Sequence, residues 1–148
     1  MSFAISSTIE IAAPIDHVWA VLKDVERYPE WNPFTVIVKT TFELGSPVDM
    51  MVKLRPPRQL HQVEYVTSYV EGSKVSWGVA VGPKWFIDAD RVQELTDLGS
   101  GRTRYFTSDE FRGVGIHLMK LLVGRDVQRG FDAVAQGLKR RCEISAQV

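Results

Sequence analysis

Hydrophobic residues near the start of the chain first alternate and then recur at a helical spacing. Residues 3–11 (FAISSTIEI) are rich in β-branched side chains and place mostly apolar ones at every second position, which is typical of a β-strand. Residues 15–28 place apolar side chains three or four positions apart, which predicts an amphipathic helix. Because proline cannot continue an α-helix, we expect this helix to end before Pro29.

The period of two returns at residue 35 and continues to residue 111. Turns that contain glycine or proline divide this region into six runs, each short enough to be a single strand. The predicted strands are residues 35–44, 48–54, 60–70, 74–81, 85–95 and 103–111, with residues 96–102 as a loop. Because short turns join consecutive strands, they favour an antiparallel meander.

The C-terminal region has a helical period throughout. Residues 116–143 contain no proline, and their apolar side chains recur at steps of three and four residues. This stripe comprises Leu118, Leu121, Val127, Phe131, Val134 and Leu138. The pattern predicts one long amphipathic helix. Within it, Gly124, Gly130 and Gly137 permit either the close approach of a strand or, near Gly124, a kink.

The predicted elements together indicate an α+β fold. We expect a seven-stranded curved antiparallel sheet that wraps around the long C-terminal helix, with a short helical segment after the first strand, in a single domain of residues 1–148. Only the long helix is large enough to cover the apolar face of such a sheet. Because one helix cannot fill a wide concave surface, this architecture predicts a cavity between the sheet and the helix.

Charge and cysteine content limit the classes of function. Eighteen Lys and Arg residues balance eighteen Asp and Glu residues, so net charge favours neither a nucleic-acid partner nor an anionic surface. The single cysteine, Cys142, permits no intrachain disulfide. No run is apolar and long enough for a signal peptide or a transmembrane helix. We therefore predict a cytoplasmic protein without a nucleic-acid partner and without stable membrane insertion.

Two motifs resemble a known superfamily. They are STIEIAAPIDHVWAVLKDVERYPEWNP at residues 7–33 and GSGRTRYFTSDEFRG at residues 99–113, and the ending LKRRCE at residues 138–143 is also similar. The chain resembles the START-like (SRPBCC) superfamily and, within it, the bacterial proteins of the polyketide cyclase/dehydrase type. The resemblance implies the helix-grip fold over essentially the whole chain. It also implies that the segment ERYPEWNP, residues 26–33, lies at the open end of the sheet.

The resemblance implies a hydrophobic ligand without naming it, because the superfamily includes lipid carriers, aromatases and ubiquinone-binding proteins. We expect a small or elongated hydrophobic ligand to bind between the sheet and the C-terminal helix. Two alternatives remain open: a polyketide cyclase/dehydrase that uses the same cavity with a carboxylate or histidine as acid or base, and an interaction protein whose cavity is filled. We expect no cofactor, and no metal because His17, His61 and His117 form no close pair; a homodimer is left open.

The hairpin around Gly72 supplies candidate wall residues of the cavity. The predicted pairs are Val66 with Val79, Ser68 with Trp77 and Val70 with Val75, which place all six side chains on one face. That face is mostly apolar, so we assign it to the concave side of the sheet. We therefore predict that Val66, Trp77 and Val79 contact the ligand.

Charged residues interrupt the strand predicted at 85–95 in the sequence DADR. Alternation places Asp90 on one face and Arg91 on the other, so the concave side receives a charge whichever face it is. A buried charge needs a partner, and Glu110 on the next strand is a candidate. Asp90, Glu110 and His117 are the candidate catalytic acids or bases, and Asp90 and Glu110 are also candidate ligand contacts. A surface ion pair across two strands is the alternative for the two carboxylates.

Residues from the two helical regions complete the candidate site. Trp31 and Phe34 are predicted to gate the cavity near the C-terminal helix, while Tyr28 seals the side of the short helix. Leu118 and Leu121 belong to the apolar stripe of the long helix and are predicted to contact the ligand. If Trp31 lay on the convex surface of the sheet, the segment ERYPEWNP would only end the helix and would not gate the cavity.

Overall fold

The computed structural model describes residues 2–146 and begins with a ten-residue strand. The first elements are β1 (Ser2–Ile11), the helix α1 (Ile15–Lys23) and a 3-10 helix (Val25–Glu30). Six strands follow: β2 (Thr35–Lys39), β3 (Pro47–Val52), β4 (Leu60–Val70), β5 (Lys74–Val81), β6 (Ile87–Gly99) and β7 (Arg102–Arg112). The last described element is the 31-residue helix α2 (Ile116–Ala146).

All seven strands form one antiparallel sheet in the order β1-β7-β6-β5-β4-β3-β2. The first strand leaves the sequential order because it pairs with β7, beginning with Ser2 opposite Arg112. The sheet curls around α2, whose side chains Phe131, Val134 and Leu138 are completely or almost completely buried. The α+β helix-grip architecture predicted from the sequence is confirmed.

The helix α1 ends before Pro29, as predicted, but it ends earlier than the apolar pattern of residues 15–28 indicates. The α-helix ends at Lys23, and the 3-10 helix that follows contains Pro29. Proline has no N–H to donate, and the end of this 3-10 helix is held instead by Trp31 and Asn32, whose N–H groups donate to the Tyr28 carbonyl at 3.1 and 2.8 Å. The proline is therefore accommodated in a tighter helix rather than placed after it.

The β6–β7 hairpin is longer than predicted, because residues 96–102 do not form an extended loop. Gly99, Ser100 and Gly101 have φ values of 80°, 56° and 72°, in the left-handed region. This geometry completes the reversal within a few residues, so both strands continue to the turn. By contrast, the strand predicted at 35–44 ends at Lys39.

The β4–β5 pair has the predicted strand bounds but a different register. Val66 lies opposite Trp77 and Tyr69 lies opposite Val75, with a β-bulge between Val66 and Ser68. The extra residue turns the end of β4 over, so that Val70 is exposed while Val66, Val75 and Trp77 remain buried. The prediction that these side chains share one face is therefore correct for Val66, Val75 and Trp77 and wrong for Val70.

Two of the three glycines in α2 permit close approach, but the segment that approaches is the chain before β2 and not a strand. A methyl group on Gly130 would overlap the ring of Phe34, and one on Gly137 would overlap the carbonyl oxygen of Trp31. The helix continues through Gly124 without a break. The chain that follows the 3-10 helix can therefore lie directly on the backbone of α2.

Candidate ligand-binding cavity

A cavity of about 290 Å³ lies between the concave face of the sheet and α2. Most of its lining is apolar. The strands and their loops contribute Met50, Val52, Leu54, Leu60, Trp77, Val79, Val81, Ile87, Ala89 and Phe111. The remaining apolar wall consists of Phe34, Met119, Val123, Val127 and Phe131. The predicted cavity is present, and the protein's own side chains do not fill it.

The cavity opens beside the first turns of α2. Among its lining residues, Leu60 is 47 % exposed and Val81 is 53 % exposed, so the wall reaches the surface at these two positions. The loop before Leu60 is held against the helix, because Nη2 of Arg55 donates a hydrogen bond to the Leu122 carbonyl at 2.6 Å. The opening therefore lies between the β3–β4 loop, the β5–β6 loop and the N-terminal half of α2.

A small polar cluster interrupts the apolar wall. It consists of Thr35, Gln62, Glu64, Arg91 and Asp109. Arg91 and Asp109 lie directly opposite each other on β6 and β7, and they alternate along these strands with side chains of the convex face. Strand alternation thus places a cation and a carboxyl group side by side in the cavity.

The sequence DADR was predicted to place one charged side chain on the concave side of the sheet. In the structure this side chain is Arg91. Its side chain is almost fully buried, at 5 % exposure for the residue. Nε donates to Oγ1 of Thr107 at 3.2 Å, Nη1 donates to Oγ1 of Thr35 at 3.4 Å, and Cζ lies 4.3 Å from the centre of the Phe131 ring. The guanidinium is therefore held against an aromatic face by neutral partners.

Two polar atoms of this cluster have no hydrogen-bond partner among the described residues. They are Nη2 of Arg91 and Oδ1 of Asp109, and both are buried. Native proteins pair most of their buried polar atoms, because an unpaired one costs roughly 1–3 kcal/mol. An unpaired donor and an unpaired carboxyl oxygen beside the same cavity mark the position where a polar group of a ligand would bind.

Burial also changes the protonation of the two carboxyl groups in the cluster. Desolvation raises the pKa of Asp109 to about 7, against the lowering effect of Arg91. Desolvation, together with the charge of Asp109, raises the pKa of Glu64 to about 8. Near neutral pH each group can therefore donate a hydrogen bond or a proton as well as accept one.

Three of the predicted ligand contacts line the cavity: Phe34, Trp77 and Val79. Val66 is buried in the adjacent core but is not part of the lining. Trp31 is also buried and lies against α2 at Gly137, so it is not on the convex surface. It does not gate this opening, however, because Gly137 is fourteen residues beyond Val123, about 21 Å along the helix axis.

Tyr28 occupies the position predicted for it at the short-helix side. It is buried, its hydroxyl donates to the Leu22 carbonyl at 2.6 Å, and its ring meets that of Trp31 edge-on with centroids 4.9 Å apart. The two aromatic residues of ERYPEWNP therefore close the core between α1 and α2. They belong to the end of the molecule away from the cavity opening.

The predictions that placed Asp90 and Glu110 in the cavity are wrong. Oδ1 of Asp90 accepts a hydrogen bond from Oγ1 of Thr67 at 2.6 Å, and Oε1 of Glu110 pairs with Nε of Arg112 at 3.0 Å. Both carboxylates are exposed on the convex face. Because Arg91 points inward, alternation sends its neighbour Asp90 outward.

The predictions for the first turns of α2 are also wrong. Leu118 is 59 % exposed, Leu121 is 82 % exposed and His117 is exposed. The face of the helix that lines the cavity is formed by Met119, Val123, Val127 and Phe131. The apolar stripe predicted from the sequence therefore starts on a face of the helix that does not line the cavity.

Sequence reasoning missed Glu64 and Asp109, although a signal was present. Asp109 has the same parity as Tyr105 and Phe111, two large apolar residues of β7 that are buried. A carboxylate between buried positions is worth testing as a cavity residue. Glu64 has the same parity as the buried Val66.

Comparison with known protein families matches residues 2–143 to the family described as polyketide cyclase / dehydrase and lipid transport. The chain belongs to this family. Comparison with curated proteins gives no match. The description of this family covers both catalysis and transport.

Solved structures share the fold at low sequence identity. A START superfamily protein from Mycobacterium smegmatis is 19% identical, with a TM-score of 0.70 over 96% of this chain and 98% of that one. The Zhui aromatase/cyclase from Streptomyces sp. R1128 is 19% identical, with a TM-score of 0.69 over 100% of both chains. Norcoclaurine synthase from Thalictrum flavum, in complex with dopamine and hydroxybenzaldehyde, is 14% identical, with a TM-score of 0.70 over 95% of this chain and 86% of that one. At these identities the similarity shows the fold.

Proposed function

We propose that the protein binds a small, mainly apolar ligand whose polar group contacts Arg91 and Asp109. The observation that carries this proposal is the pair of buried, unpaired atoms, Nη2 of Arg91 and Oδ1 of Asp109, beside an otherwise apolar cavity. A ligand oxygen at this position would accept from Arg91. If Asp109 is protonated, the same oxygen can accept from it as well, so a ketone or a phenol fits the cluster.

The size of the cavity favours a ring system over a long acyl chain. Its volume of about 290 Å³ is at the lower end of the range for small-molecule sites, which is roughly 300–1,000 Å³. Trp77, Phe111 and Phe131 are among the lining residues, so a ring in the cavity would contact aromatic side chains. Norcoclaurine synthase, which has this fold, was crystallised with two small aromatic molecules, which supports the same ligand class.

A cyclase or dehydrase is the second candidate, and the raised pKa values of two carboxyl groups in one cavity favour it. In this scheme ionised Asp109 removes a proton from the carbon next to a ligand carbonyl, and Arg91 stabilises the enolate oxygen. Protonated Glu64 then gives its proton to a hydroxyl on the neighbouring carbon, which leaves as water while the C=C bond forms. Every group in this scheme comes from the cavity cluster.

The binding proposal is tested with the dye anilinonaphthalene sulfonate and with native mass spectrometry of the purified protein. We expect one dye molecule per chain, displaced by small aromatic ketones, and weaker displacement by ketones in Asp109→Ala, which removes the hydrogen-bond donor. Glu110→Ala is the matched control, because this neighbouring carboxylate lies on the convex face. Absence of both dye binding and a co-purified small molecule would reject the proposal.

The enzymatic candidate needs a separate assay. We expect a panel of aromatic polyketide precursors to include a substrate whose conversion is lost in Asp109→Asn and Glu64→Gln and retained in Glu110→Gln. A wild-type protein that binds ketones but converts none of the panel would leave binding as the function.

A further inference from the structure

The rim of the cavity opening consists of three segments that lie against one another. We define the opening rim as residues 53–60, 81–87 and 112–125. The first segment reaches the third through the hydrogen bond from Arg55 to the Leu122 carbonyl. The second meets the third where the Val114 N–H donates to the Trp85 carbonyl at 3.1 Å. These segments form one continuous surface around the opening.

The opening rim exposes most of the large hydrophobic side chains that reach the surface. Eight of the fourteen that are exposed in the described part of the chain lie in it. They are Leu60, Val81, Trp85, Phe86, Val114, Leu118, Leu121 and Leu122. A concentration of this kind on a monomer marks a surface that contacts something else.

The opening rim also carries a strong excess of positive charge. It contains seven Lys and Arg residues and no Asp or Glu, although the whole chain has eighteen of each sign. The seven are Lys53, Arg55, Arg58, Lys84, Arg112, Lys120 and Arg125. Arg55 and Arg112 pair with Asp126 and Glu110 just outside the rim, whereas Lys84, Lys120 and Arg125 lie exposed among the apolar side chains.

We propose that the opening rim docks onto an anionic membrane surface, with the cavity opening toward the lipids. Exposed Trp and Leu side chains insert into the headgroup region, and Lys and Arg side chains around them meet anionic headgroups. No helix in the described residues is long and apolar enough to span a bilayer. The contact that we propose is peripheral, and it does not depend on what the cavity binds.

Tryptophan fluorescence can follow this docking directly. Trp85 is 68 % exposed, whereas Trp19, Trp31 and Trp77 are buried. Vesicles that contain phosphatidylglycerol are therefore expected to shift the emission to shorter wavelength, and Trp85→Phe is expected to abolish the shift. Vesicles of phosphatidylcholine alone should give little change, and added salt should reverse the shift.

Co-sedimentation with the same vesicles tests the apolar and the charged parts of the opening rim separately. Leu121→Glu is expected to weaken binding at least about tenfold. Ile144→Glu is its matched control, because Ile144 is exposed on the far half of the same helix. Lys84→Gln and Lys120→Gln should each weaken binding about fivefold, and Arg140→Gln should not. All five positions are exposed, so folding is expected to be unaffected.

Three results of the vesicle experiments would overturn the proposal. They are absence of vesicle binding, equal binding to vesicles without anionic lipid, and equal loss of binding in Leu121→Glu and Ile144→Glu. Binding of the opening rim to an acidic protein but not to vesicles would also overturn it, in favour of a protein partner. Failure of ketone or dye binding leaves these measurements unaffected, so the docking surface and the cavity are tested independently.

Discussion

The ring of Phe34 lies directly against the backbone of Gly130, at a point where a methyl group on the glycine would overlap the ring. The same ring packs edge-on against Phe131, with centroids 5.9 Å apart, and forms part of the cavity wall. One glycine therefore sets how closely the start of β2 approaches α2. It also sets the position of one wall of the cavity.

Gly130→Ala is expected to lower the free energy of unfolding by about 1–3 kcal/mol, because the Phe34 ring must move out of a packed position. Gly124→Ala is the matched control on the same helix. A methyl group there meets only the Lys120 side chain at 3.5 Å, and alanine favours a helix over glycine by up to about 1 kcal/mol, so we expect slight stabilisation. Urea-induced unfolding measures both, and changes of the same sign would contradict the packing at Gly130.

Stability is expected to decrease as the pH rises from about 4 to about 8. Burial raises the pKa of Asp109 to about 7 and that of Glu64 to about 8, while both groups titrate near pH 4 in an unfolded chain. In this interval the folded protein binds more protons than the unfolded chain. The free energy of unfolding therefore decreases with pH, by up to about 1.4 kcal/mol per pH unit for each group.

Unfolding in urea at a series of pH values measures the slope of the free energy of unfolding against pH. Asp109→Asn and Glu64→Gln should each flatten it, because the substituted side chain does not titrate. Glu110→Gln, which changes a carboxylate on the convex face, should keep the wild-type slope. A slope of opposite sign, or one that survives both cavity substitutions, would show that these two carboxyl groups are not buried in the folded state.

Removal of the cation from the cavity is expected to raise both of these pKa values further. Arg91 lowers the pKa of Glu64 and that of Asp109, so Arg91→Met should shift both titrations to higher pH. Carboxyl carbon chemical shifts measured by NMR during a pH titration would follow each group. Arg104→Met, an exposed change on β7, should leave both titrations in place, and unchanged titrations in Arg91→Met would mean that the guanidinium does not act on the carboxyl groups.

The thiol of Cys142 is expected to be unreactive in the folded protein. Its side chain has no exposed surface, and burial raises the pKa of the thiol to about 12. Iodoacetamide at neutral pH should modify it only after urea unfolds the chain, and mass spectrometry counts the modification. Rapid modification of the native protein would mean that this end of α2 opens, or that the thiol is a nucleophile.

The sequence predicts the fold well because its periodicities are local. The alternation on either side of Gly72 gave the bounds of β4 and β5, and the glycine turns separated the remaining strands. The register within the β4–β5 pair was not predictable in the same way. It depends on a bulge next to Thr67, whose hydroxyl donates to Asp90 on a strand two positions away in the sheet.

The site was harder to predict than the fold, because its residues depend on which face of each element points inward. Alternation correctly required one charge on the concave side, but only tertiary packing shows that this charge is Arg91 rather than Asp90. The first turns of α2 carry apolar residues on two faces, so spacing cannot distinguish Leu121 from Val123. Asp109 and Glu64 come from different strands, and only the curled sheet brings them into the same cavity.

The separation of charge described for the opening rim makes the molecule an electric dipole although its net charge is zero. The rim holds seven of the eighteen basic residues and none of the acidic ones, so the remainder of the chain has seven more acidic than basic residues. At low ionic strength the basic end of one molecule is attracted to the acidic remainder of the next, and salt screens this attraction within about 10 Å at 0.1 M. Light scattering should therefore show attraction between molecules that weakens as salt is added, the opposite of what net repulsion between like-charged molecules would give.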